Sequence, residues 1–482
     1  MRIIKFQGWT ILTLCFLVST VDAKGVSPYL PLNVSPLLDN EIERLATIAG
    51  APNLTKPYSM ATISLYLEKV RTAYPHLYSR LKASLRPYYK QRSLTQLSAS
   101  VKASDDHRVM PNQRGTFSDS QMAISFRGQW AFNDNLALFA GGNFTYYTAD
   151  DVDNLYQASG SLLSLGVDWA QLDIGYKDFW LSPFQGSAQL LSTNGQTMPS
   201  ISLSNNLPIE TFGVKWNYQT FVAEMSRQEV QFKAGEFSNK DKPLLAGLHF
   251  SFQPTSWWSV GATRVFQFGG GERDVSFSTL VKALVDPRGA DNDASIDEES
   301  GNQLASITSK INFDGRLPFS FTVELAGEDT SNNKAYQLGN TALTVGLFFP
   351  YFLSNDVSLT YEYSAWQNGW YVNNVYREGY TNDGFVLGNW AMQSQREAGT
   401  ATEGVSHFLK THWQRDNDDI VSAILRFSEH QDTNLVDYED SWELQLDYSV
   451  PWSDNLMTFG AYFGQDNFGQ SFTQINITVA YQ

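Results

Sequence analysis

From Leu97 to the C-terminus, apolar and polar positions alternate in short stretches. Phe319, Phe321, Val323 and Leu325 alternate with Ser320, Thr322, Glu324 and Ala326. Val357, Leu359, Tyr361 and Tyr363 alternate with Ser358, Thr360, Glu362 and Ser364, and Trp442 to Val450 repeats the pattern. A period of two predicts strands. One face suits lipid and the other a hydrated lumen, but a soluble sandwich shows the same alternation with its faces swapped. The connections discriminate. Tight links fall near Asn133–Asn135, Trp169–Gln171, Asn217–Gln219, Gln253–Thr255, Asp314–Arg316, Pro350–Asn355, Gln414–Asp418 and Pro451–Asp454. Between them lie long polar links near 104–121, 148–159, 181–208, 230–243, 269–302, 328–340, 367–403, 431–440 and 465–471. Short turns at one end and long loops at the other are the mark of a transmembrane β-barrel. Eight tight turns join sixteen strands, and terminal strands near 96–103 and 472–481 bring the expectation to about eighteen, all antiparallel. The barrel is assigned to residues 96–482, with both ends facing the periplasm.

Residues 24–95 follow a different period. Leu38, Ile42, Leu45 and Ala49 fall at helical spacing, Ser59 can cap a second helix with Ile63, Leu67 and Val70, and Pro75 can open a third with Leu77, Leu81 and Leu85. The stretch is basic from Lys69 to Arg92 and is read as a small periplasmic helical region. Residues 1–23 read as a secretory signal peptide: Arg2 and Lys5 start it, Trp9 to Val18 is apolar but too short to span a bilayer, and Val21-Asp22-Ala23 offers a cleavage site.

Composition narrows the function. Cys15 is the only cysteine, so the expected mature chain has no thiol chemistry. Its charge would be −17, a poor match for nucleic acid. Aromatics reach 14% without any apolar run of about twenty residues beyond the signal, so a membrane-spanning reading points to a barrel. No catalytic set stands out. His407 and His412 face opposite sides of a strand, and Asp105-Asp106-His107 reads as a charged loop. No enzyme activity is expected; an outer-membrane hydrolase would need a nucleophile–base pair.

Two loops carry candidate ligand chemistry. The first opens Gly269-Gly270-Gly271-Glu272-Arg273-Asp274 and continues to Arg288 and an acidic run from Asp291 to Glu299. Glycines permit close backbone approach to a ligand, and Arg273 and Arg288 can fork onto a carboxylate. The acidic run can hold Ca²⁺ through oxygen ligands but lacks EF-hand spacing, and a solvated loop is the better reading. The second loop, 367–403, holds Trp370, Tyr371, Tyr376, Tyr380, Phe385 and Trp390. These rings either stack on sugars or form the loop's own core, folded down to plug the lumen.

The stretches Gly261 to Gly270, Gly301-Asn302-Gln303-Leu304-Ala305 and Gly327-Glu328-Asp329, with Gly175 to Trp180, Pro183 and Gly379-Tyr380, resemble the Wzi-type capsule assembly family. The resemblance implies an eighteen-stranded outer-membrane barrel with periplasmic helices and a lectin-like role, attaching capsular polysaccharide or exopolysaccharide to the cell surface. The chain departs from the family pattern at Gly-Gly-Gly-Glu-Arg-Asp (269–274) and Trp180-Leu181-Ser182-Pro183. On this reading Arg273 and Arg288 pair with the polymer's uronate groups, Glu272 belongs to the same binding set, and Trp370, Tyr371, Tyr376 and Trp390 stack on its rings. Outer-membrane lipid and the barrel assembly machinery, which would read the amphipathic last strand, are the other expected partners, and no cofactor is expected. The alternative is a porin-like channel for small solutes, since barrels of this size can leave an aqueous bore.

Overall fold

The computed structural model describes residues 25–147, 153–167, 169–273, 275, 299, 301–328, 338–395, 399–415, 419–453 and 455–481. Twenty hydrogen-bonded segments make one antiparallel sheet; two of its staves are each broken into two segments, leaving an eighteen-strand wall. The first strand (Arg92–Ser104) pairs with the second (Met122–Asn133) on one side and with the last (Ser471–Tyr481) on the other, Ser98 opposite Ala480, so the cylinder closes. Closure removes every sheet edge, which hydrocarbon demands because it offers the backbone no other partner.

The wall shows which face meets lipid. Leu325 is 42% exposed while its neighbour Glu324 is 0% exposed. Tyr361 is exposed and Glu362 buried in the same way. Apolar outside and polar inside is the reverse of a soluble sandwich. Among the described residues, no helix is long and apolar enough to cross a membrane.

Six of the eight expected tight turns fall where the pattern placed them, and the one expected at Gln253–Thr255 falls just beyond, at Ser256–Trp257. The eighth lies elsewhere. Asn217–Gln219 lies inside the strand Val214–Glu224, paired with His249 to Ser251, and the turn is at Phe212–Gly213. The polar Asn217 that suggested a turn faces the lumen mouth, where it accepts from Asn205 Nδ2 at 3.0 Å and its own amide donates toward Pro52 O at 3.3 Å.

Helices α1 (Pro36–Ile48), α2 (Met60–Val70) and α3 (Pro75–Ser84) precede the wall. Ser35 and Ser59 cap the first two, and Pro75 opens the third. Their apolar faces make one core: Leu38, Ile42, Leu45, Ile63, Tyr66, Leu67, Leu77, Leu81 and Leu85 pack together. The bundle covers the mouth at the tight-turn end. Val26 N donates to Asp134 O (2.7 Å), Gln253 Nε2 to Gly50 O (2.9 Å), Lys215 Nζ to Tyr66 OH (3.2 Å) and Lys410 Nζ to Asp39 Oδ2 (2.8 Å).

The lumen is filled. The loop between Gly175 and Ser200 enters from the long-loop end and descends to the helical region, where Trp180 and Lys56 exchange backbone hydrogen bonds of 2.9 and 3.0 Å. On the way it satisfies the buried lumen carboxylates. Ser182 Oγ donates to Glu324 (2.9 Å), and the Gln185 and Gly186 amides donate to Glu362 (2.5 and 2.9 Å). These donors offset part of the cost of burying the two carboxylates.

Candidate functional site

Two folded loops close the extracellular end. Phe179, Leu181, Leu190, Leu191 and Met198 of the descending loop pack with Trp370, Tyr371, Tyr380, Val386, Leu387 and Met392 of the aromatic loop, against Phe221, Leu245, Val265 and Leu304 of the wall. Tyr371 takes a left-handed backbone (φ 69°), a costly conformation for a bulky residue. Three contacts hold it there: its amide donates to Glu328 Oε2 (2.9 Å), its hydroxyl to Gln189 O (2.5 Å), and that same hydroxyl accepts from Asn389 N (2.9 Å). A Cβ at Gly388 would sit 1.9 Å from that hydroxyl, so only glycine fits beside it.

A carboxylate ties the plug to the wall. Arg114 donates to both oxygens of Asp178 (3.0 and 2.6 Å), Ser159 and Thr197 hydroxyls donate to it at 2.9 and 2.6 Å, and Arg127 of the wall lies 3.7 Å away. Burial alone would raise the Asp178 carboxyl, but the Arg114 guanidinium and its bidentate hydrogen bonds outweigh it and hold the group far below the usual carboxylate range. Arg114 and Asp178 are 64 residues apart; Asp178 lies in the family-like stretch Gly175 to Trp180, but nothing in the sequence marked Arg114 as its partner.

The residues singled out in sequence do not converge. Trp370 (1% exposed), Tyr371 and Tyr376 are interior residues and present no ring face to a polymer. Trp370 and Tyr371 belong to the plug's core, the second of the two readings of that loop, and Tyr376 packs in a separate small cluster. Arg273 does not face outward either. Its guanidinium donates to Gln231 O (2.6 Å) and to Glu299 O, and so ties the 269–273 segment to the hairpin Val230–Ser238. Tyr376 joins the same tie, donating to Gly269 O (3.1 Å) and packing with Val230 and Val375. A Cβ on Gly270 would meet Pro243 at 2.8 Å, so the glycine serves chain packing in place of ligand approach. Glu272 is exposed beside this tie. Arg288, and the acidic run except Glu299, lie outside the described residues.

Of that set, among the described residues, Trp390 borders a large open space. A cavity of about 510 Å³ opens between the plug and the last hairpin loops. Phe468, half-exposed, supplies aromatic surface, and Trp390, 7% exposed in the plug core and held on a short 3₁₀ turn capped by Asn389, contributes an edge. Asn194, Gln393, Ser394, Asn467 and Ser441 supply amides and hydroxyls. The floor holds an ion cluster: Arg108 lies 3.5 Å and Arg426 3.7 Å from Glu443, which also accepts from Tyr462 OH at 2.5 Å. Arg108 is further steadied over the Phe472 ring at 3.8 Å. The loop 466–470 is preset, since Asp466 accepts from the Phe468 and Gln470 amides at 2.9 Å each and Asn467 donates to Ser394 at 2.6 Å. Amides and carboxylates match vicinal hydroxyls, and aromatic surface matches the C–H faces of sugar rings. Sequence reading named these loops but not Arg108, Glu443 or Phe468. The available signal was Glu443, which falls on the polar face at the outer end of an alternating strand.

Fold and site together define an outer-membrane β-barrel with an occluded lumen and a polar, aromatic-edged cavity at its long-loop end. The capsule assembly protein Wzi family model matches residues 84–471, and the chain belongs to that family. The chain is similar to the Escherichia coli outer-membrane protein Wzi, which is involved in group 1 capsule assembly and described as a carbohydrate-binding β-barrel. The TM-score is 0.71 with 17% identity, covering 95% of this chain and 99% of that one. It is also 31% identical over 118 residues to a 55.8 kDa protein of the cps region of Klebsiella pneumoniae; the match covers 24% of this chain and about a fifth (21%) of that protein.

Proposed function

We propose that this barrel holds capsular polysaccharide or exopolysaccharide at the cell surface by taking sugar units of the polymer into the cavity between Trp390 and Phe468. The supporting observation is that cavity: preset amide, hydroxyl and carboxylate groups beside aromatic surface, at the outer end of a barrel from a capsule-assembly family. In this reading residues 1–23 are the removed signal, the helices of 24–95 stand in the periplasm, and the role is retention without bond cleavage. The porin alternative is disfavoured because packed loop and helices fill the lumen.

The test is co-sedimentation of purified protein with the organism's own polysaccharide, with and without a calcium chelator. Phe468 is half-exposed and its ring meets Tyr438 at 5.9 Å, away from the plug core. Phe468→Ala should weaken binding about thirtyfold, the scale of an aromatic hot spot, and Asn467→Ala should weaken it less. Loss of the protein from cells should release polymer into the medium while synthesis continues. Unchanged binding in both variants would remove the cavity from the role, and arrested synthesis would remove the role itself.

A further inference from the structure

The outer surface of the helical bundle carries a charge pattern that polysaccharide retention does not use. The chain has a formal charge of −16, yet residues 69–92 hold seven cations and no carboxylate. Arg80 among them is paired with Glu41 inside the bundle. Lys82, Arg86, Lys90 and Arg92 are exposed. The adjacent carboxylate Glu68 is already engaged, accepting from Tyr78 OH at 2.8 Å with Arg71 at 3.7 Å. Like charges gathered in this way repel one another, and an anionic partner relieves that cost.

Position identifies the partner. The 3₁₀ turn Arg86–Tyr89 is fastened to the barrel rim: Gln129 Nε2 donates to Tyr88 O (3.1 Å) and Lys90 O (2.5 Å), and Ser93 Oγ donates to Pro87 O (2.6 Å). Arg92 sits 4.2 Å from the Trp130 ring, which stacks on Phe132 at 5.6 Å. Tyr89, Trp130 and Phe132 are all exposed, in the belt where a barrel's aromatics meet lipid headgroups. Arg86, Lys90 and Arg92 are thus held at headgroup height, continuous with the lipid-facing wall, and Lys82 is exposed one helical turn before Arg86. A soluble acidic polymer would gain nothing from that placement.

We propose that Lys82, Arg86, Lys90 and Arg92 form a binding face for anionic phospholipid headgroups of the periplasmic leaflet, with Tyr89 and Trp130 seated in the interface beside them. The attraction acts within a Debye length of about 8 Å and amounts to about fivefold in affinity per cation at the surface. Four cations together give a preference of about six hundredfold for an anionic over a zwitterionic lipid.

The experiment uses the full-length protein in detergent, offered phosphatidylglycerol or phosphatidylcholine, with retained lipid counted by native mass spectrometry. Wild-type protein should retain phosphatidylglycerol preferentially and lose that preference in about 0.5 M salt. The variant Lys82→Gln/Arg86→Gln/Lys90→Gln/Arg92→Gln should lose it at low salt, whereas Lys82→Arg/Lys90→Arg should keep it. Both variants should bind the capsular polymer as wild type does, which separates this inference from the cavity reading. Equal retention of the two lipids by wild type would overturn it. So would an unchanged preference in the four-site variant, or polygalacturonate binding to this face in place of lipid.

Discussion

Two structures block the barrel, one at each mouth, and they are built in opposite ways. The helical bundle has a core of its own, drawn from three short helices close in sequence. It touches the wall chiefly through polar contacts such as Lys410 to Asp39 and Gln253 to Gly50. The outer plug shares its core with the wall: Trp370 and Leu190 belong to the same cluster as Val265 and Leu304, and Asp178 is shared with Arg127. The bundle is a small domain set against a barrel. The plug is part of the barrel's own interior, so its order depends on wall strands far away in sequence.

The largest expected effect separates the two directly. The intact protein should be electrically silent in planar bilayers. Replacing 178–195 with a short linker should give a steady conductance, whereas removing 24–90 alone should leave the lumen shut, because the descending loop still fills it. Conductance on removal of the bundle alone would make the bundle, and not the plug, the barrier.

Next comes the Asp178 clamp. Arg114→Ala leaves a buried carboxylate short of its main partner and should cost the plug about 3–5 kcal/mol, seen as lost hydrogen-exchange protection across 176–199 with the wall unaffected. The pH dependence has a defined sign. The folded Asp178 binds its proton less readily than the unfolded chain, whose carboxyl titrates near 3.9. Its stabilisation is therefore complete above about pH 4 and fades as pH falls below that value. In Arg114→Ala this acid sensitivity should flatten. A smaller effect tests the bundle: Ser59→Ala removes the hydroxyl that accepts from Thr62 N (3.1 Å) and should loosen α2 by about 1 kcal/mol, without opening the lumen.

The barrel was readable because its signals are local and repeated. Alternation showed the wall, and the lengths of the links set its orientation and strand number. The turn misplaced at Asn217–Gln219 has the same origin, since Asn217 is polar for the lumen mouth while the chain turns at Phe212–Gly213. The aromatic loop was ambiguous for a physical reason. A ring that stacks on sugar and a ring that fills a plug are the same residue, and only burial separates Trp370 from the exposed Phe468. Arg273 was read as a ligand fork because a free guanidinium is one; its donors turn back onto Gln231 and Glu299 carbonyls.

By itself the sequence determined the period of each segment, the cylinder those periods close into, the separate helical region and the family likeness. The tertiary structure decided what fills the cylinder: Arg114 on Asp178, the Trp180–Lys56 bridge through the lumen, and a cavity whose walls come from six separate stretches of chain. The reason is range. Periodicity is written between neighbours, whereas pairing and enclosure depend on which distant segments the closed wall brings within a few ångströms of one another.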